Sequence, residues 1–143
     1  MKHTKSRNGF TLIELIIVMV ILGIMAAVAV PRYLDSISNA EEAAEDAVIS
    51  AIRSGLTQYA NNSLYESGRA EWPTNPFDAL AEKPVGYSTD DSDADVDGEW
   101  TFSGGRITHQ RADNSRYEWS YDPGTQGGGD DAGIGSLGQR IAL

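Results

Sequence analysis

The chain has no cysteine among its 143 residues. No disulfide can staple it, and no thiolate is available as a nucleophile or metal ligand. Histidine is almost as scarce. His109 is the only one outside the first nine residues, with no partner at ligand spacing, and it reads as a packed, hydrogen-bonded strand residue. Nowhere do a nucleophile, a base and an orienting residue stand together, so no enzymatic activity is expected. Positive charge is also in short supply, 11 Lys and Arg against 21 Asp and Glu, for a net charge of −10. Three of those cations (Lys2, Lys5 and Arg7) lie in the first nine residues, and without them the side chains carry −13. So acidic a surface disfavours direct binding of nucleic acid or anionic lipid heads. The length fits one small domain plus one membrane helix.

Long apolar runs are absent too, with one exception. Residues 10–30 contain a single charge, Glu14, and continue to Pro31. At 1.5 Å per residue a helix of that length spans roughly 31 Å, close to the hydrocarbon thickness of a bilayer. A carboxylate inside such a segment costs about 2.5–3.5 kcal/mol on insertion scales and implies a partner. The basic residues before it favour a cytoplasmic N-terminus with the remainder outside. A secretory signal peptide cut near Ala27-Val28-Ala29 is the plain alternative. The internal charge and the helix-forming sequence that runs through that cut argue against it.

Gly9-Phe10-Thr11-Leu12-Ile13-Glu14 resembles the cleavage and methylation motif of type IV pilins and of the pseudopilins of type II secretion. The resemblance covers the first third of the chain. It implies removal of a basic leader after Gly9 by a prepilin peptidase, N-methylation of Phe10, and polymerisation through the apolar helix. In that family Glu14 is the acid five places into the mature chain, and Pro31 falls where a helix-bending proline is common. The implied partners are other pilin or pseudopilin subunits, the peptidase and methyltransferase, inner-membrane assembly machinery and membrane lipid. The implied location is the inner membrane with the head in the periplasm, then a surface pilus or a periplasmic pseudopilus.

Beyond Pro31 the helical pattern persists. Ile37, Ala44, Val48, Ile52, Leu56 and Tyr59 recur three, four or seven apart, with Glu41, Glu42, Glu45, Asp46 and Arg53 largely on other faces. Asn61-Asn62-Ser63 is the expected stop. In the next segment Asn75 and Pro76 open a short helix, with Trp72, Phe77 and Leu80 as core plugs.

Asp93, Asp95 and Asp97 followed by Gly98 match the front of a calcium loop. The twelfth position of such a loop falls on Gly104 rather than a bidentate glutamate, which leaves a solvated acidic loop as the competing reading. Residues 99–103, 106–111 and 116–121 alternate as a three-stranded antiparallel meander, with Gly104-Gly105 and Asp113-Asn114 at the turns. One face carries Trp100, Phe102, Ile107, His109, Tyr117, Trp119 and Tyr121, to be covered by the helix stripe. The other, with Glu99, Thr101, Arg106, Thr108, Gln110, Arg116 and Glu118, is expected to face solvent. Residues 124–138 include seven glycines and read as part of a flexible tail.

The fold class is therefore α+β, a long N-terminal helix on a small three-stranded antiparallel sheet. The expected divisions are leader 1–9, membrane and assembly helix 10–30, amphipathic continuation 31–62, loop and sheet 63–123, and tail 124–143. The expected function is a structural subunit assembled into a type IV pilus or pseudopilus, with no cofactor other than an optional calcium. The alternative is a membrane-anchored periplasmic binding domain that does not polymerise.

Overall fold

The computed structural model describes residues 9–124 and 135–143. Helix α1 runs Leu12–Ser67 and continues through Pro31. Four strands follow in the order β1–β2–β3–β4: β1 Trp100–Ser103, β2 Arg106–Gln110, β3 Arg116–Asp122 and β4 Ser136–Leu137. A fifth, β5 Ile141–Ala142, also pairs with β3. By its contacts the chain divides into two units, one up to Glu42 and one from Ala43 to Leu143.

In the first unit the side chains from Phe10 to Leu34 are exposed. This part of α1 is long and apolar enough to cross a membrane.

In the second unit α1 buries Glu45, Ile49, Ile52, Leu56 and Ala60. Its first turns are therefore rotated by one position from the expected stripe, with Ile49 in the core and Val48 only partly buried. Polarity misled at Glu45. Its two acidic neighbours, Glu41 and Glu42, make it read as part of a solvated face, yet it is fully buried. The helix also outruns Asn61-Asn62-Ser63. It stops at Gly68, whose φ is 76° and whose amide N–H donates a hydrogen bond to the Leu64 carbonyl, closing the last turn.

The hairpin registers follow from alternation. Trp100 faces His109 across β1–β2, and Ile107 faces Trp119 across β2–β3. Trp100, Ile107, Trp119 and Tyr121 close over Ile49, Ile52 and Leu56, joined by Phe77. Phe77 is carried by a 3-10 helix, Pro76–Ala79, capped by the Asn75 side chain, which accepts from the Phe77 amide at 3.0 Å. Burial pushes the Tyr121 hydroxyl up to about 12, and it donates to the Pro73 carbonyl.

Two further expectations need correction. Among the described residues the sheet has five strands rather than three, because residues from the stretch read as tail return to pair with β3. The glycine-rich residues 125–134 lie outside the described residues. The second face of the meander is also not open to solvent: Thr101, Thr108 and Gln110 are buried. The acidic segment folds over them. The Ala94 amide donates to Thr108 Oγ1 at 2.7 Å, the Thr101 and Thr108 hydroxyls bond each other at 2.8 Å, and Gln110 Nε2 donates to the Asp95 carbonyl.

Candidate functional site

The N-terminal motif is built on the start of α1. Thr11 immediately precedes the first helical residue, where four amide donors lack helical acceptors. Glu14 Oε2 accepts from the Thr11 amide and from Thr11 Oγ1, each at 2.8 Å, while the Glu14 amide donates to Thr11 Oγ1 at 3.3 Å. This is a reciprocal capping box, in which a threonine at the cap and a glutamate three places on satisfy each other's backbone donors. One carboxylate oxygen is engaged in this way. The other accepts nothing from the described residues. Gly9 and Phe10 are exposed just ahead of the box, and Pro31 sits within the helix without ending it.

The aspartates Asp93, Asp95 and Asp97 are not gathered. Asp93 pairs with Arg106 at 3.2 Å, and Arg106 also reaches Glu118 at 2.9 Å. The amides of Asp95 and Val96 donate to Glu99 Oε2, and these bonds, the Asp95 one foremost, hold the Glu99 carboxyl below its ordinary range. Among the described residues no three acidic or histidine side chains converge as a metal site.

A second polar centre lies in the core. Glu45 accepts from Arg111 through both oxygens, Nε to Oε1 and Nη2 to Oε2, each at 2.7 Å. His109 Nδ1 lies 2.9 Å from Oε1 and Arg140 Nη1 lies 3.0 Å from Oε2. Burial pushes the Glu45 carboxyl up, but the hydrogen bonds from Arg111, His109 and Arg140 outweigh it and hold it down at about 2. His109 is thus a packed, hydrogen-bonded strand residue, stacked on Trp100 at 4.2 Å between ring centres. No sequence signal linked Glu45 to Arg111. Their separation of 66 residues exceeds any local spacing rule.

Comparison with known proteins finds one family motif and several pilin-like relatives. The prokaryotic N-terminal methylation motif matches residues 4–30. Over 101 residues the chain is 41% identical to the type IV narrow pilus major component of Thermus thermophilus, covering 71% of this chain and 75% of that protein. Over 69 residues it is 41% identical to a fimbrial protein of Neisseria meningitidis, covering 48% of this chain but only 37% of the relative. Over 83 residues it is 36% identical to type II secretion system core protein G of Pseudomonas aeruginosa, covering 57% and 55%. No solved structure matches significantly. With its capping glutamate at the mouth of an exposed apolar helix and its antiparallel sheet on the second half of that helix, the chain belongs to the family of type IV pilins and type II secretion pseudopilins.

Proposed function

We propose that the chain is a prepilin, cut after Gly9, N-methylated at Phe10, and assembled through α1 into a type IV pilus or type II secretion pseudopilus. The observation that carries this reading is the lone carboxylate of Glu14, held by Thr11 one turn into an otherwise apolar, exposed segment. Cleavage frees an α-ammonium at Phe10. Glu14 uses one oxygen for its own helix and keeps the second for the ammonium of a neighbouring copy. In a dry filament core such a pair adds little net stability, but an unpaired partner is costly, so it fixes axial register. Before assembly the subunit rests in the inner membrane, with its basic leader cytoplasmic and its head periplasmic. Its partners there are the prepilin peptidase and methyltransferase, the assembly machinery, and other subunits.

Two measurements test this. Mass spectrometry of the protein recovered from cells should find an N-terminus at methylated Phe10. Glu14→Ala should cut filament yield at least roughly tenfold without removing the protein from the membrane, because the register-setting partner is gone. An intact Met1, a start near Val30, or normal filament yield from Glu14→Ala would refute the reading.

A further inference from the structure

The C-terminal residues 135–143 lie along the outer edge of β3, and their register contains a break. Tyr121 faces Leu137, whereas Glu118 faces Ile141. Three steps on β3 thus correspond to four on the returning strand, which is a one-residue bulge between β4 and β5. Gly138 begins it. Its amide donates to the Ser120 carbonyl at 2.8 Å, and a Cβ there would require Ser120 Oγ to turn aside.

The bulge decides where Arg140 points. Unbroken pairing would set Arg140 opposite Glu118, on the face covered by the acidic segment. The extra residue sets it opposite Trp119, on the face that packs on α1. There its guanidinium stands 5.7 Å from the Tyr117 ring centre, donates to Glu45 at 3.0 Å and lies 3.8 Å from Asp46. Arg53 of α1 adds a bond to the Gly138 carbonyl at 3.3 Å.

We infer that residues 135–143 form a clasp, closed across the head by the Arg140–Glu45 pair and able to open separately from the rest of the sheet. The asymmetry of the Glu45 site carries this. Arg111 is almost wholly buried and holds both carboxylate oxygens, with His109 on one of them, so Glu45 stays satisfied when Arg140 leaves. Arg140 keeps 23% of its side chain exposed and can move to water. In a chain without cysteine this is a non-covalent staple, indifferent to reducing conditions. Opening it bares the outer edge of β3, Tyr117 to Asp122, which is otherwise paired by β4 and β5.

The test is amide hydrogen exchange on the full chain in detergent, comparing wild type with Arg140→Met and Arg140→Lys. Methionine keeps the packing on Tyr117 and deletes the charge. The Gly138 and Leu143 amides, which donate to Ser120 and Arg116 carbonyls, should exchange roughly tenfold faster in Arg140→Met, while the β2 amides change far less. Arg140→Lys should restore most of the protection. Unchanged clasp amides, equal acceleration of clasp and β2, or no rescue by lysine would each overturn the inference. The readout needs no filament, so it stands or falls independently of the prepilin reading.

Discussion

Glu45 and Glu14 are both glutamates of α1, and they sit in opposite surroundings. Glu14 shares its carboxylate between its own cap and a free oxygen. Glu45 is fully buried and saturated by two arginines and a histidine. Removing one member of a buried ionic group leaves the others uncompensated, so Glu45→Ala should destabilise the head by about 3–5 kcal/mol in denaturant titrations. The same site sets an acid limit. The folded carboxyl sits at about 2, below the 4.5 of an unperturbed glutamate, so protons bind the unfolded chain first. Its contribution is complete above pH 4.5 and declines as pH falls through that value towards 2. Stability measured from pH 6 down to 2 should lose about 3 kcal/mol through this group, and Glu45→Gln should flatten that part of the profile. The unusual position of Glu14 was legible because a charge within an apolar run stands out. That of Glu45 was not, since an acid beside other acids reads as solvent-facing until its distant arginines are known.

At the scale of elements, periodicity served well where both partners alternate and poorly where a third layer intervenes. The meander emerged from period-two alternation with tight turns, and its aromatic face was correctly assigned to the core. The opposite face was misread because threonine and glutamine side chains give no warning of a loop bonded across them. β4 and β5, two residues each, are too short to alternate and lie among glycines, so composition concealed them. Gly55 lies where α1 meets the 3-10 turn, and a Cβ there would stand 2.5 Å from the Ala79 carbonyl oxygen. Alanine would gain about 1 kcal/mol of helix propensity. Pushing the 3-10 turn off α1 costs about 1–3 kcal/mol. The clash should win, and Gly55→Ala should lower the melting temperature of the head by a few degrees in circular dichroism. A rise would mean that the turn at Pro76–Ala79 yields without loss.

For the whole molecule, charge sets the terms on which copies can approach. With the leader removed, eight cations face 21 acids. Four of those cations, Lys83, Arg106, Arg111 and Arg140, are already engaged by carboxylates of their own chain. The excess of acids persists, so subunits at −13 brought side by side repel through their heads while their apolar helices attract. Screening separates the two effects. The Debye length shortens from about 30 Å at 0.01 M salt to about 8 Å at 0.15 M, whereas burial of apolar helix surface does not depend on screening. Filaments sheared from cells and dialysed to about 10 mM salt should therefore shed subunits that stay assembled at about 150 mM, a difference sedimentation can quantify. Equal or greater assembly at low salt would show instead that cation–carboxylate pairs across copies are strong enough to overcome the net repulsion.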